Sequence, residues 1–241
     1  VWLVVAAVLI FYASALQPRH NWNGLADGGE YLIHGINIYS DHAYEEMRWV
    51  TPEDAGLVRL DNIRRSSYPP VYPALLGAAY AVVGLDFYAL KLLNVLLFAA
   101  SLPLVYLCFR DEAGPARTFA VVAFGFCPLL FELKETIVSE FLFVFLLFLF
   151  LIAVQIRESR GRSLGRALAL ATVVGILMYL AYGTRSAGIV LVPALLFHDL
   201  VRHRTIRPGS AVAAAVAVVL IALQGRLIAS SGAGYIESFA A

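Results

Sequence analysis

Charged side chains are scarce in this sequence, which has 18 Lys and Arg and 17 Asp and Glu among 241 residues but 61% hydrophobic residues. Soluble domains have about 45–50% apolar residues, so this composition excludes a soluble domain and indicates an integral membrane protein. The formal net charge of +1 and the clustering of the basic residues give no sign of a nucleic-acid partner. We therefore expect the lipid bilayer, and no nucleic acid, as a partner.

Cysteine is scarce as well. Cys108 and Cys127 both lie in apolar stretches, where buried free thiols are commoner than a disulfide or a metal pair. The first sixteen residues, VWLVVAAVLIFYASAL, are not followed by a small-residue cleavage site. We therefore expect this run to be retained as a helix rather than removed as a signal peptide.

Long apolar runs dominate what is present. About 20 residues cross a hydrocarbon core of about 30 Å, and shorter runs need flanking aromatic residues or arginines as interfacial anchors. The predicted fold class is all-α, a polytopic membrane helical bundle of about seven transmembrane helices that forms a single module. The seven runs are residues 1–16, 88–109, 116–132, 137–156, 167–182, 186–200 and 209–228.

An eighth run, PPVYPALLGAAYAVVG at residues 69–84, is short and opens with two prolines. The arginine-rich loops 110–117, 157–166 and 202–207 are expected on the cytoplasmic side. If 69–84 does not span, residues 17–87 form one large extracytoplasmic loop, and 69–84 lies along the membrane surface. If it does span, the five arginines between residues 17 and 69 join the cytoplasmic loops. We favour the surface helix.

The stretch LADGGEYLIH places polar residues at the head of this loop. Asp27, Glu30, Tyr31 and His34 recur at i, i+3, i+4 and i+7, which predicts one face of a helix. Asp27 followed by Glu30 three residues later is close to a capping box, and the same face is also typical of a catalytic or metal-binding cluster. The two interpretations are compatible, and spacing alone leaves both open.

Four stretches carry a resemblance to a known superfamily. They are DGGEYLIHGINIY, SSYPPVYPALLGAAYAVVGLDFYALKLLNVLL, SEFLFVFLLFLFL and LAYGTRSAGIVLVPALLF. In this order, and over essentially the whole chain, they resemble polyprenyl-phosphate-sugar-dependent glycosyltransferases of the GT-C superfamily. The nearest branch contains the protein O-mannosyltransferases and the lipid A aminoarabinose transferase.

The resemblance implies an enzyme of the cytoplasmic membrane whose active site faces the extracytoplasmic side. Such an enzyme moves a sugar from a polyprenyl-phosphate donor to a lipid, glycan or protein acceptor. It also implies a core of seven transmembrane helices and a proline-containing surface helix after the first loop. Because substrate pockets in this superfamily are completed after the seventh span, we expect the C-terminal part of the enzyme to be missing from this sequence.

The chemistry of this transfer needs a base for the acceptor proton. The resemblance implies an acid in the first loop, often with a second one nearby, and these match Asp27 and Glu30. We therefore predict Asp27 as the general base and Glu30 as the second catalytic acid. A divalent metal ion held by Asp27, Glu30 and His34 is the alternative, although His34 is also interpreted as a hydrogen-bonded neighbour of the carboxylates.

The leaving phosphate is best held by a guanidinium group, because it gains charge in the transition state. The resemblance places a basic residue at Arg185 for the donor phosphate, and the alternative is an arginine that snorkels to the interface. Arg64 and Arg65, just before the Pro-Pro, are further candidates for the phosphate.

Three tyrosine or acidic positions complete the predicted substrate site together with His34. Glu140 begins a predicted span, where an acid is either functional or complements the helix dipole. Tyr31 and Tyr68 are predicted to contact substrate. In the aminoarabinose transferase the region of Ser67 and Tyr68 holds a Glu of a metal site, so this sequence departs from the pattern and a copied metal site is in doubt.

Two other classes of protein compete with the transferase. A transporter or lipid flippase typically shows internal repeats with broken helices near the midplane, and this sequence shows no such repeat. A purely structural membrane subunit does not explain a long loop with clustered acids. We therefore favour the transferase, and neither the sugar nor the acceptor is indicated by the residues.

Overall fold

A computed structural model describes residues 1–18, 27–39, 48–50, 57–59, 68–158 and 164–227, without the side chains of 27, 48–50, 57–59, 158 and 227. Within these ranges, every element longer than five residues is an α-helix. Two three-residue strands, β1 (Arg48–Val50) and β2 (Leu57–Arg59), pair antiparallel. The helices are α1 (Trp2–Ser14), α2 (Asp27–Ile38), α3 (Val71–Val83), α4 (Phe87–Cys108), α5 (Gly114–Gly125), α6 (Pro128–Leu133), α7 (Glu140–Glu158), α8 (Leu164–Thr184), α9 (Leu191–His203) and α10 (Pro208–Leu227), with a 3₁₀ helix at Ser186–Val190 before α9.

Four helices, α4, α7, α8 and α10, are long and apolar enough to cross a membrane in the part of the chain that the structure describes. Each coincides with one of the predicted runs. The protein is thus a helical membrane protein, as its composition predicts. Asp86 begins α4 as a side-chain cap, since its carboxylate accepts hydrogen bonds from the backbone N–H groups of Tyr88 and Ala89 at 2.9 and 3.2 Å.

The other three predicted runs form shorter or interrupted helices. Residues 1–16 contain α1, which has 13 residues. The run 116–132 is divided between α5 and α6, because Pro128 favours an extended conformation at the preceding Cys127 (φ −64°, ψ 120°). The run 186–200 begins as a 3₁₀ helix after Arg185, whose extended backbone (φ −145°, ψ 134°) ends α8. By length, none of the three is a continuous spanning helix.

Two ion pairs fix how the segment around α9 lies beside α7. At one end Arg185 pairs with Glu140, the first residue of α7. At the other end Asp199 lies 3.6 Å from the guanidinium of Arg157. From Glu140 to Arg157, α7 rises about 26 Å at about 1.5 Å per residue. The 3₁₀ helix and α9 together therefore run parallel to α7 over nearly its whole length.

The core consists of two apolar clusters that share α4 and α7. One cluster joins α1 and α5 to them through Tyr12, Phe98 and Phe141, which are fully buried. The other packs α2, α3, α8 and α10 around Tyr72 and Met178. The second cluster matters for function, because it holds α2, the helix that carries the predicted catalytic acids, against the rest of the bundle.

Helices α2 and α3 cross with almost no space between their backbones. A Cβ atom built on Gly77 would lie 2.7 Å from the carbonyl carbon of Gly35 and 2.7 Å from Cδ2 of Tyr39. A Cβ atom on Gly35 would lie 2.7 Å from the backbone nitrogen of Gly77. Only glycine therefore permits this approach, and the crossing fixes the depth of α2 relative to α3.

Replacing Gly77 by Ala should lower the stability of the protein, because the new methyl group meets the backbone of Gly35, which cannot move aside, as well as the Tyr39 side chain. We expect a loss of about 1–3 kcal/mol, the usual cost of overpacking, measured as a lower midpoint of thermal unfolding in detergent. Gly225→Ala is the matched control, since a Cβ atom there meets nothing within 4 Å and Ala favours the helix. An unchanged midpoint for Gly77→Ala would contradict the close crossing.

Candidate functional site

The predicted polar face of α2 packs inward. Tyr31 is buried, His34 is 0% exposed and Glu30 is half-buried. Asp27 is the first residue of the described helix, but its side chain lies outside the described part of the structure. The helix predicted from spacing is thus present, and its face meets α3 and α7 rather than open solvent along most of its length. Whether Asp27 caps this helix stays a prediction.

Tyr31 is the contact between α2 and the start of α7. Its hydroxyl lies 3.2 Å from Oγ of Ser139. Its ring lies 4.5 Å from the ring of Tyr68 and 5.1 Å from the ring of Tyr72, the latter edge to face. The ring of His34 lies 6.3 Å from that of Tyr68. The structure thus brings together three of the residues that were predicted to contact substrate.

Glu140 and Arg185 form an ion pair next to this aromatic group. Glu140 follows Ser139 directly and occupies the first turn of α7, while Arg185 lies between α8 and the 3₁₀ helix. Their side chains are 33% and 39% exposed. Both interpretations of Glu140 therefore fit its position, since its carboxylate is at a helix N-terminus and also meets a cation. The guanidinium of Arg185 keeps enough exposed surface to meet a ligand.

The Arg185 site is the name used below for Tyr31, Tyr68, Ser139, Glu140 and Arg185. These residues come from α2, the approach to α3, the start of α7 and the end of α8. In sequence they span more than half of the chain. The site therefore exists only in the folded bundle, and it combines hydroxyl groups, aromatic faces, a carboxylate and a guanidinium at one end of α7.

A buried charge cluster near this site was not predicted. Nζ of Lys91 on α4 is 2.8 Å from Oε2 of Glu135, and Nζ of Lys134 is 2.9 Å from Oε1 of the same carboxylate. The Lys91 side chain is 0% exposed and that of Glu135 is 16% exposed. The backbone N–H of Gln17 also donates to Glu135. The cluster ties α1, α4 and the loop before α7 together.

Burial of the Glu135 carboxyl by itself would raise its pKa. Hydrogen bonds from Lys91 and Lys134 outweigh this effect, so the pKa of Glu135 lies below its ordinary value of 4.5. The carboxylate therefore stays charged at neutral pH. The signal that could have found the cluster is Lys91 itself, because an ionisable residue inside a long apolar run indicates a specific partner.

An amide on the same helix links this cluster to the aromatic group. Oδ1 of the buried Asn94 accepts a hydrogen bond from the hydroxyl of Tyr72 at 3.0 Å, and its Nδ2 lies 3.5 Å from the carbonyl of Thr136. Tyr72 in turn packs against Tyr31. The loop between α6 and α7 is thereby held from both sides, and this loop positions Ser139 and Glu140.

Some predicted residues are not placed by the structure. Arg64 and Arg65 lie outside the described residues, as does the side chain of Asp27. Among the described side chains, no three of His, Cys, Asp or Glu come together as a metal-binding group. Because the Asp27 carboxylate is not among them, a divalent ion held by Asp27, Glu30 and His34 stays a prediction.

Comparisons of the chain with protein-family models, with curated proteins and with solved structures found no match. The features that bear on function are therefore the residues of the Arg185 site and the motifs that surround them.

Proposed function

We propose that this protein is a membrane glycosyltransferase of the GT-C type, which transfers a sugar from a polyprenyl-phosphate donor to a lipid, glycan or protein acceptor. The observation that supports this proposal best is the Arg185 site. Tyr31, Tyr68, Glu140 and Arg185 were predicted separately as substrate or phosphate contacts, and they lie around one point of the bundle. Scattered membrane charges with only anchoring roles have no reason to converge with aromatic side chains in this way.

Each group of the site has a task in this reaction. The guanidinium of Arg185 would hold the donor phosphate and stabilise the charge that develops as the phosphate leaves. Glu140 would orient that guanidinium, since two charged groups in contact restrict each other's geometry. Asp27 at the start of α2 would accept the proton of the acceptor hydroxyl as it attacks the anomeric carbon. Glu30, one turn further along α2, would support Asp27.

We propose further that the bundle has seven membrane crossings, with α3 on the surface and the Arg185 site on the extracytoplasmic side of the cytoplasmic membrane. The α1 run, the α5–α6 pair and the 3₁₀–α9 pair would cross together with the four long helices. Two observations support a crossing by α5–α6. Glu135, just after α6, pairs with Lys91 in the first turns of α4, whereas α5 begins six residues after the other end of α4. The pair therefore returns along the length of α4.

Cysteine labelling in intact cells tests this topology. In a background without Cys108 and Cys127, a cysteine at Glu132 should react with an impermeant thiol reagent, whereas one at Asp111 should react only after permeabilisation. Both side chains are exposed, with Asp111 before the start of α5 and Glu132 near the end of α6, so a difference in labelling would not come from burial. Equal labelling of the two positions in intact cells would contradict the proposed crossing.

Phosphate binding by Arg185 is tested with undecaprenyl phosphate and the purified protein in detergent. Arg185→Ala should weaken binding by about 10- to 150-fold, because a hydrogen bond to a charged group contributes about 1.5–3 kcal/mol. Arg185→Lys should also lose affinity, since a planar fork becomes a point charge. Native mass spectrometry across a titration of the lipid gives the affinities.

Two control variants separate phosphate binding from other roles. Glu140→Gln breaks the same ion pair but keeps the guanidinium, so affinity should stay within about fivefold of the wild type. Arg226→Ala removes an exposed arginine near the end of α10. This arginine lies at the same end of the bundle as Arg185, since Gln224 of α10 approaches Gly183 near the end of α8. If Arg185→Ala binds undecaprenyl phosphate as tightly as Arg226→Ala does, Arg185 is an interfacial anchor and the proposed donor site is wrong.

A further inference from the structure

A groove with a polar end lies at the other end of α7, away from the Arg185 site. It is a groove of about 530 Å³ between the end of α4, the last turns of α7 and α9. Helices α7 and α9 face each other across it. Its lining residues are Arg110, Asp111, Phe150, Leu151, Val154, Gln155, Ala194, Leu195, His198 and Arg202.

The walls of this groove change from apolar to polar in the same direction. Along α7 the lining begins with Phe150 and Leu151 and ends with Gln155, close to the C-terminal end of the helix. Along α9, which runs the same way through the groove, it begins with Ala194 and ends with Arg202. An amphipathic ligand therefore fits with its apolar part toward the middle of the bundle and its polar part at the end.

Both walls are held in place by contacts beneath the groove. Nε2 of Gln155 donates to the carbonyl of Cys108 at 3.1 Å, which fixes α7 to the end of α4. Asp199, next to His198, is fully buried, approaches Arg157 and accepts a hydrogen bond from the backbone N–H of Arg207 at 2.9 Å. The groove is thus built into the fold rather than formed by loose packing.

The charge at the polar end of the groove is mainly positive. Arg110 and Arg202 contribute guanidinium groups, and His198 adds an imidazole. Of the carboxylates in the part of the chain that the structure describes, Asp111 lines the groove; it is 92% exposed and lies 3.9 Å from Arg110, and such exposed pairs contribute little. Among the described lining residues the positive groups thus outnumber the negative one, which suits a phosphate group.

We propose that this groove binds an anionic phospholipid, with the headgroup phosphate on Arg110 and Arg202 and an acyl chain along Leu151 and Leu195. Basic pockets between transmembrane helices are the usual sites for acidic lipid headgroups. This inference does not depend on the proposed transferase activity, since the groove shares no residue with the Arg185 site. The bound lipid would join α9 to α7 beside the Arg157–Asp199 pair.

The experiment uses the purified full chain in detergent and native mass spectrometry with phosphatidylglycerol or phosphatidylcholine. The wild type should retain phosphatidylglycerol in preference. The double variant Arg110→Gln/Arg202→Gln should bind it roughly thirtyfold more weakly, since each arginine near an acidic headgroup contributes about 1 kcal/mol. Arg166→Gln/Arg204→Gln is the control, because both arginines are exposed and lie outside the groove.

Two further measurements separate a lipid from a free phosphate. Ala194→Trp fills the apolar part of the groove from an exposed position and should also remove lipid binding, although it leaves both arginines in place. Inorganic phosphate in excess should not displace phosphatidylglycerol. Equal binding of the two lipids, equal losses in the two double variants, unchanged binding in Ala194→Trp, or full displacement by phosphate would each overturn the proposal.

Discussion

Asp27→Asn is expected to give a protein that inserts, folds and binds undecaprenyl phosphate normally while its sugar transfer falls by about 10²- to 10⁴-fold. The fall is the usual contribution of a positioned general base. Asn and Asp cap helices about equally well, so a role of Asp27 at the start of α2 is kept while the proton acceptor is lost. Transfer is measured with a panel of polyprenyl-phosphate hexoses and pentoses and membranes that contain the protein.

Glu30→Gln provides the comparison for this variant. If Glu30 only supports Asp27, its loss should reduce transfer less than that of Asp27. If the two acids together hold a divalent ion, both variants should fall alike, and a chelator should inhibit the wild type. Near-normal transfer in Asp27→Asn would return Asp27 to a structural role at a helix start and would mean that another group accepts the acceptor proton.

Glu135→Gln is expected to reduce the stability of the protein by about 3–5 kcal/mol, the usual effect of removing one member of a buried ion pair. Lys91 is fully buried, and Glu135 also accepts from Lys134, so one substitution affects two ammonium groups. Glu132→Gln, three residues earlier and exposed, is the matched control and should change stability by less than about 0.5 kcal/mol. Thermal unfolding in detergent measures both.

The double variant Lys91→Met/Glu135→Gln distinguishes the loss of the ion pair from a general structural defect of the loop before α7. Removing both charges of a buried pair costs less than removing one, so this variant should recover the part of the stability that is lost through Lys91, while the effect on Lys134 remains. Low pH should lower the stability of the wild type as Glu135→Gln does, because protonation removes the charge of the Glu135 carboxylate. Because the pKa of Glu135 is lowered in the folded protein, its contribution is present above pH 4.5 and is lost as the pH falls through the lowered value. A double variant as unstable as Glu135→Gln would contradict this account.

The long helices could be predicted from the sequence because each is a continuous apolar run with a clear end. The positions of the interruptions were harder to predict. Pro128 divides α5 from α6, and residues 186–190 form a 3₁₀ helix before α9, yet by composition the runs 116–132 and 186–200 look like ordinary spans. A hydropathy score is averaged over a window of many residues, whereas a helix ends at the one residue whose backbone cannot continue the helical geometry.

The candidate site could be predicted only in part, for a similar reason. Tyr31, Glu140 and Arg185 were found because their motifs resemble a superfamily, and the structure then brings them together. Lys91 and Glu135 were missed because a pairing between distant residues depends on the packing of α4 against the loop before α7. Spacing along one helix carries no information about such a contact.

The pairing of Lys91 with Glu135 also has a consequence for the order in which the protein is made. The two residues are 44 positions apart, and ribosomes add about 5–20 residues per second. For about 2–9 s, therefore, the nascent chain contains the lysine of α4 but not yet the carboxylate that neutralises it. Until α5, α6 and the following loop emerge, the Lys91–Glu135 ion pair is incomplete, so we expect α4 to reach its final depth together with the segment that follows it.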